Sequence, residues 1–197
     1  MSKSVYGQHS GLMSPMVDSM RVKRVASHLP AGSRVLDIGC GSALLRGVLP
    51  NGCFYTGVDR DGAVISENKK RFPQDSFETV DATMEKLSFA DNTFDAVVMA
   101  AFIEHIDDTD HLFREARRVL KKSGVVLATT PSKMGGLLHH FLAHVGMLSH
   151  EASEEHKDFW SRETMLKRLE GTGLVLKKYE PFQFGLNQLF ILSREEK

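Results

Sequence analysis

The chain has 197 residues, of which 42% are hydrophobic and 25% charged, a composition that excludes disorder and predicts a globular domain. Lysine and arginine number 25, as do aspartate and glutamate, so no net charge attracts nucleic acid or an anionic membrane. Two cysteines exclude a disulfide framework, and no apolar run is long enough for a signal peptide or a membrane span, so we expect a cytoplasmic protein.

Strands and helices alternate along the chain, which predicts an α/β fold with a mostly parallel sheet covered on both faces. In chain order we predict a helix over 15–28, a strand over 34–39, a helix over 42–49, a strand over 53–59, a helix over 61–72, strands over 76–82 and 94–101, a helix over 108–121, a strand over 125–131, a helix over 161–173, and strands over 174–182 and 188–194. The last two strands are joined by few residues, so they should pair antiparallel.

We interpret residues 1–197 as a single domain. Within it, residues 1–30 are predicted to form a helical lid, and residues 131–160 a helical insertion on the substrate side. The insertion carries an apolar stripe interrupted by histidines, including His140 and His144. Those two are four residues apart, which suits a metal on a helix, but no acid or cysteine joins them at a suitable spacing, so we expect no metal site.

The segment VLDIGCGSALL, residues 35–45, joins the first predicted strand to the next helix. Such a glycine turn presents unpaired backbone N–H groups, and glycine lets a ligand approach the main chain. The alternative is a tight turn that binds nothing. Position 44 is leucine where the dinucleotide pattern needs a third glycine, which disfavours a nicotinamide or flavin cofactor. Asp37 would repel a pyrophosphate but could hold the amine of a cationic ligand.

Two further acids follow the next two predicted strands. Asp59 lies 20 residues beyond Gly39, the spacing at which an acid reaches a ribose diol. Asp81 ends the third predicted strand, where it could accept a hydrogen bond from an adenine amine. Because ligands of open α/β sheets bind at the carboxyl ends of the strands, three acids in register there predict a nucleoside site.

Four segments carry a resemblance to a known family: VLDIGCGSA, YTGVDRD, VDATMEKLSFADNTFDAVVMAAFIEHIDD and HLFREARRVLKKSGVVLATTP. Over about residues 30–193 the chain resembles the class I S-adenosylmethionine-dependent methyltransferases, in the small-molecule, ubiquinone-biosynthesis-like branch. The resemblance implies a Rossmann-like three-layer sandwich, with a seven-stranded, mostly parallel sheet and an antiparallel last strand. It implies S-adenosylmethionine as the cofactor, bound by Asp37, Gly39, Cys40, Gly41, Asp59, Arg60, Asp81, Ala82 and Ala100.

The resemblance also implies a role for most of these residues. Asp37 would anchor the ammonium of the cofactor, and Gly39 and Gly41 would approach its methionine portion. Asp59 would hold the ribose. Asp81 and Ala82 would flank the adenine, and Ala100 would line the methionine and sulfonium channel.

The acceptor side is less defined by sequence. His105 follows the fourth strand and is the candidate general base, although it could instead cap or pack the next helix. His156 and Trp160 could shape the acceptor site, with core packing as the alternative for Trp160. Tyr6 could close over the cofactor. The apolar stripe suggests peripheral membrane contact through 135–148.

We therefore expect methyl transfer to a small or lipid-like acceptor, with no nucleic-acid partner. One alternative is a non-catalytic module that binds S-adenosylmethionine or S-adenosylhomocysteine. Another is a methyltransferase for protein or RNA, disfavoured by the balanced charge and by MAAFIEH, which stands where amino-group methylating enzymes often carry an Asn/Asp-Pro-Pro-aromatic motif. A nicotinamide oxidoreductase is disfavoured by Leu44 and Asp37.

Overall fold

A computed structural model of the chain describes residues 14–136 and 160–196. Helix α1 spans Ser14–Ala26, β1 Arg34–Ile38, β2 Phe54–Asp59, α2 Gly62–Arg71, β3 Ser76–Thr79, β4 Phe94–Ala100, α3 Asp110–Val119, β5 Leu120–Pro131, α4 Arg162–Leu169, β6 Leu174–Phe182 and β7 Asn187–Arg194. Two short 3₁₀ helices span Leu44–Val48 and Ile103–His105.

The strands of the described residues form one seven-stranded sheet in the order β3-β2-β1-β4-β5-β7-β6. Neighbours from β3 to β5 pair in parallel, whereas β7 lies antiparallel between β5 and β6. The predicted mixed sheet with its antiparallel last strand is confirmed. Since β1, β2 and β4 are parallel neighbours, their carboxyl ends meet at one edge of the sheet.

Alternation along the central strands sends side chains to two separate cores. On one face, Leu36 and Ile38 pack with α3 and α4. On the other face, Val35 packs with α1 and with Ile65 of α2. Helices therefore cover both faces of the sheet, as a three-layer sandwich requires. Asp37, which alternates with Leu36 and Ile38, lies on the face that α1 and α2 cover.

The predicted helix over 42–49 is wrong in kind. Ala43 adopts a left-handed conformation with φ of 55°, and only a 3₁₀ helix from Leu44 to Val48 follows. The left-handed Ala43 excludes an α-helix that begins at residue 42, and the extended backbone of Leu49 ends the helical segment after five residues. The third strand is also shorter than predicted: it ends at Thr79, two residues before Asp81.

None of the helices in the described part of the chain combines the length and apolar character needed to cross a bilayer. Nearly all of the segment 135–148, for which peripheral membrane contact is predicted, lies outside the described residues.

Candidate functional site

The glycine turn begins where β1 ends. The backbone N–H groups of Gly39 and Cys40 both donate to the carbonyl of Val58, at 2.9 and 3.1 Å, which bends the chain away from the sheet. Gly39 and Gly41 have φ of 72° and 47°, in the region that favours glycine. A Cβ on Gly39 would lie 2.2 Å from Cδ2 of Phe102, whereas one on Gly41 would meet no heavy atom within 4 Å. Gly41 is therefore the glycine that faces open space.

Two side chains hold Gly41 from opposite sides. Its N–H donates to Oδ2 of Asp59 at 3.0 Å, and its carbonyl accepts from Nδ2 of Asn68 at 2.7 Å. Asn68 lies in α2 and is only 2% exposed, so its amide is committed to this bond. The turn is thus held by β2 and α2 as well as by its own backbone, in which the N–H of Ala43 donates to the carbonyl of Cys40 at 2.8 Å.

Two cavities lie on either side of this turn, and both Gly39 and Gly41 line each of them. The first, here the β2 cavity, has a volume of about 350 Å³ and is lined by Asp59, Arg60, Asp81, Ala82, Phe102 and His105 among others. The second, here the α1 cavity, has a volume of about 550 Å³ and is lined by Arg21, Asp37, Cys40, Asn68, Ala100 and Ala101 among others.

Carboxylates of the β2 cavity already accept hydrogen bonds from the protein. Besides Gly41, Asp59 accepts from the N–H of Asp61 at 3.0 Å. Asp81 accepts from the N–H and the hydroxyl of Thr83 at 3.0 and 2.6 Å, through one oxygen. A carboxylate has about four acceptor positions, so both acids keep capacity for a ligand's hydroxyl or amine.

Asp37 has a different environment in the α1 cavity. It is 3% exposed, and its Oδ2 accepts from the hydroxyl of Tyr55 at 2.7 Å. Burial raises the pKa of Asp37 to about 7, the Tyr55 hydrogen bond opposes that rise, and the charge of Asp59 adds to it. Burial and the two nearby acids also raise the pKa of the Cys40 thiol well above its ordinary value, so this cysteine is a packing group.

Helix α1 brings a cation to the α1 cavity. Arg21 donates to Asp18 at 2.9 Å and to Asn187 of β7 at 3.2 Å. Its Nε is buried and has no hydrogen-bond partner among the described residues. The helix is held further by an ion pair between Arg24 and Glu180 of β6. Helix α1 is therefore a fixed wall of the cavity over these residues.

The structure brings the predicted cofactor residues together. The nine residues named from the resemblance each line at least one of the two cavities. His105, the candidate base, lines the β2 cavity and is half-buried. The described residues include no group of three or more histidine, cysteine or acidic side chains arranged to hold a metal ion.

Of the three predicted substrate residues, Trp160 alone is among the described residues, and it lies in the core. Trp160 is 2% exposed and packs edge-on against Phe113, with ring centroids 6.3 Å apart. Its carbonyl accepts from Gln188 at 2.6 Å, so the core packing alternative describes Trp160, and it lines neither cavity. Tyr6 and His156 lie outside the described residues.

Sequence reasoning missed four residues at the site: Arg21, Tyr55, Asn68 and Phe102. Each acts on a partner distant in the chain, from 18 residues for Tyr55 and Asp37 to 166 for Arg21 and Asn187. One signal was available for Asn68, a polar residue on the buried face of a helix that otherwise places Val64 and Ile65 there.

Comparison with known proteins finds similarity to methyltransferases. Residues 36–128 match the methyltransferase domain family. The chain is 30% identical over 176 residues to a ubiquinone/menaquinone biosynthesis C-methyltransferase UbiE of Desulfotalea psychrophila, covering 79% of this chain and 71% of that protein. It is 25% identical over 188 residues to a demethylmenaquinone methyltransferase of Bacillus cereus, covering 84% and 79%.

Among solved structures, the chain is similar to a TehB-like SAM-dependent methyltransferase from Corynebacterium glutamicum. The TM-score is 0.66 at 20% identity, over 90% of this chain and 88% of that one. At this identity the likeness concerns the fold.

Proposed function

Because this chain belongs to the class I S-adenosylmethionine-dependent methyltransferases, in the UbiE-like branch, we propose that it methylates a small, lipid-like acceptor such as a prenylated ring. The observation that carries this proposal is the 30% identity over 176 residues to a quinone C-methyltransferase. The protein is a methyltransferase whose cofactor is S-adenosylmethionine; the acceptor and the roles of individual residues are what we propose.

The hydrogen-bond acceptors of the β2 cavity suit the nucleoside part of the cofactor. Asp59 keeps free acceptor capacity for a ribose diol, and one Asp81 oxygen accepts nothing from the described residues, which suits an adenine amine. Ala82 provides a buried apolar surface beside them. We therefore assign Asp59 to the ribose and Asp81 with Ala82 to the adenine.

The α1 cavity suits the amino-acid part. A buried carboxylate with one hydroxyl donor favours a cationic partner, which supports Asp37 as the ligand of the ammonium. The buried, unpartnered Nε of Arg21 favours an anionic partner. Since both side chains line the same cavity, we propose that they bind the two charges of an amino-acid zwitterion.

When bound, S-adenosylmethionine supplies a methyl group activated by a positively charged sulfur. The protein then has mainly to hold the acceptor in line with that methyl, which can lower the activation barrier by roughly 7–11 kcal/mol. An acidic carbon or a hydroxyl acceptor also releases a proton, and we assign its receipt to the imidazole of His105, which lines the β2 cavity.

Exposed apolar side chains near the same edge of the sheet support a lipid-like acceptor. Phe184, in the turn between β6 and β7, is 99% exposed, and Met134, just after β5, is 55% exposed. The hydroxyl of Ser132 donates to the carbonyl of Gly185 at 2.7 Å, which keeps these two segments together. An exposed aromatic ring in this position offers contact to an apolar tail.

The test is transfer of labelled methyl groups from S-adenosylmethionine to defined acceptors, read by mass spectrometry. The panel contains a reduced demethylmenaquinone, its analogue without the prenyl tail, a polyprenyl-linked sugar, a bulk RNA and a bulk protein extract. We expect methylation of a prenylated acceptor, and slower methylation of the tail-free analogue. Cofactor binding with no transfer to any acceptor would instead indicate a non-catalytic module, and transfer to RNA or protein alone would contradict the proposal.

A matched pair of variants tests the contribution of the exposed ring. Phe184→Ser should raise KM for the prenylated acceptor about 5–10-fold, because burying one aromatic side chain contributes on the order of 1–3 kcal/mol. It should leave the tail-free analogue unaffected. Phe54→Ser is the control, since Phe54 is 67% exposed but begins β2 at the opposite edge of the sheet. Equal effects of the two variants would contradict an apolar contact at Phe184.

A further inference from the structure

Asp37 and Tyr55 form a buried pair beneath the glycine turn. Their exposed fractions are 3% and 2%, and 2.7 Å separates the Tyr55 hydroxyl from Oδ2 of Asp37. Among the described residues, this hydroxyl is the one hydrogen-bond donor to the Asp37 side chain. Asp37 also lines the α1 cavity, so the pair connects the core with the site.

The register of the sheet creates this pair. Val35 lies opposite Tyr55 and Asp37 opposite Gly57 in the parallel β1–β2 ladder, so all four positions share one face. The Tyr55 hydroxyl therefore reaches Asp37 diagonally across the ladder, on the same face of the sheet. A Cβ at Gly57 would lie 2.9 Å from the sulfur of Cys40 and 2.9 Å from the ring of Phe77.

Packing also fixes the ring of Tyr55. It lies against Phe77 with ring centroids 5.7 Å apart and planes inclined at 58°. A ring held in this way has little freedom to turn its hydroxyl elsewhere, so the direction of the Asp37 carboxylate is determined before a ligand arrives. Such preorganisation lowers the cost of binding.

No cation among the described residues pairs with Asp37. The other charged side chains that line the α1 cavity are Asp18, Arg21, Glu67 and Arg71. Of these, Arg21 donates to Asp18, and Arg71 donates to the carbonyl of Ser42 at 3.3 Å. Burial of an acid without a counter-charge is costly, so a cationic group of a ligand would stabilise it.

We propose that Tyr55 is a positioning residue: by donating to Oδ2 of Asp37, it keeps the other carboxylate oxygen available to the ammonium of the cofactor. Tyr55 thereby sets the preference of the site for sulfur nucleosides that carry an amino-acid end. This inference rests on the proposed assignment of Asp37 to the ammonium. It predicts a selective effect that a purely structural tyrosine would not produce.

Two ligands separate these roles. S-adenosylhomocysteine carries the amino-acid end, whereas 5′-methylthioadenosine shares the nucleoside and the sulfur but lacks that end. In Tyr55→Phe, calorimetry should show S-adenosylhomocysteine binding about tenfold more weakly, as expected for a lost charge-assisted hydrogen bond, and methylthioadenosine within about twofold of wild type. Equal weakening of both ligands, or of neither, overturns the proposal.

Tyr179→Phe is the matched control. The hydroxyl of Tyr179 also donates within the sheet, to Oε1 of Gln188 at 3.0 Å, but Gln188 lines neither cavity, whereas Asp37, the acceptor of Tyr55, lines the α1 cavity. It should leave the affinity ratio of the two ligands unchanged. A shift in that ratio as large as in Tyr55→Phe would contradict a role specific to Tyr55.

A double-mutant cycle tests whether Tyr55 acts through Asp37. In the Asp37→Asn background, adding Tyr55→Phe should leave the affinity for S-adenosylhomocysteine unchanged within about twofold. A further tenfold loss there would overturn the proposal. If Tyr55→Phe alone does not fold, the comparison of Asp37→Asn with the double variant can still overturn the proposal, because weaker binding by the double variant would show that Tyr55 acts independently of Asp37.

Binding of the two ligands by the wild-type protein shows whether a failure concerns the role of Tyr55 or the proposed cofactor site. If wild type binds neither ligand, the assignment of the cofactor site itself fails. If wild type binds both ligands and Tyr55→Phe changes them alike, only the role of Tyr55 fails.

Discussion

The carboxylates in the two cavities on either side of the glycine turn differ in burial and in the hydrogen bonds that they accept. In the β2 cavity, Asp59 is half-buried and accepts two backbone N–H groups at 3.0 Å. In the α1 cavity, Asp37 is almost fully buried and accepts one hydroxyl. Both acids lie near the carboxyl end of a buried strand, and their sequence contexts look alike. The same residue at the same kind of position thus suits a neutral diol in one cavity and a cation in the other.

The largest effect is expected at the β2 cavity. Asp59→Ala should weaken S-adenosylhomocysteine and 5′-methylthioadenosine alike by about 10–100-fold, the loss of about 1–3 kcal/mol of charge-assisted hydrogen bonds. Calorimetry measures both affinities. Asp91→Ala serves as the control, because Asp91 is exposed and pairs with Arg118 away from both cavities. Unchanged affinity in Asp59→Ala would remove its ribose role.

Asp37→Asn should act on only one ligand and should also stabilise the fold. We expect S-adenosylhomocysteine to bind about tenfold more weakly at pH 8, with methylthioadenosine unaffected. The variant should gain about 1–3 kcal/mol in free energy of unfolding at pH 8, because an unpaired buried charge is removed. Denaturant unfolding at pH 8 and pH 5 checks this, since the gain should shrink at pH 5, where Asp37 is protonated. A loss of stability at pH 8 would contradict the unpaired charge.

The sign of that pH dependence follows from Asp37. Its pKa rises from the ordinary 3.8 to about 7, so the folded protein holds this proton more tightly than the unfolded chain. Ionisation of Asp37 therefore lowers stability as the pH rises through that interval. Tyr55, Cys40 and Asp59 are the titratable groups that face it, and none carries a positive charge.

The affinity of wild type for S-adenosylhomocysteine should depend on pH with the opposite sign to stability, rising as the pH rises. An ammonium needs the ionised carboxylate, so affinity should fall about fivefold to tenfold as the pH drops from about 7.5 to about 6. Methylthioadenosine should bind equally across this range. Calorimetry at several pH values measures both, and Asp37→Asn should abolish the difference. A matching pH dependence for the two ligands would show that Asp37 is not its source.

The smallest change in affinity is expected at Asn68, and it should be equal for the two ligands. Asn68→Ala removes the bond to the Gly41 carbonyl and should weaken both ligands about twofold to threefold, at a cost of about 1 kcal/mol in stability. Lys69→Ala is the control, because Lys69 is exposed on the same helix and lines neither cavity. Selective loss of one ligand in Asn68→Ala would mean that Asn68 serves one cavity rather than the turn between them.

Strand positions were predictable because buried parallel strands are short apolar runs. The predictions over 34–39, 53–59 and 94–101 match the parallel strands β1, β2 and β4 to within a residue. The acids at 37 and 59 were identified because the topology rule for parallel sheets brings strand ends to one edge. Helix 42–49 was mispredicted because its apolar residues fit a helix, whereas the turn before it is held by a contact distant in the chain, from Asn68 of α2 to the carbonyl of Gly41.

The order of the strands, the glycine turn and the row of acids could be predicted from the sequence, since hydrophobic periodicity and glycine punctuation are local properties of the chain. The folded structure was needed to show which acid is buried with a tyrosine and which is held by backbone N–H groups. It also decided that Trp160 belongs to the core and that Arg21 reaches the site. These outcomes depend on strand register and helix packing across 18 to 166 residues, and the free energy of a buried charge depends on those neighbours rather than on the residue type.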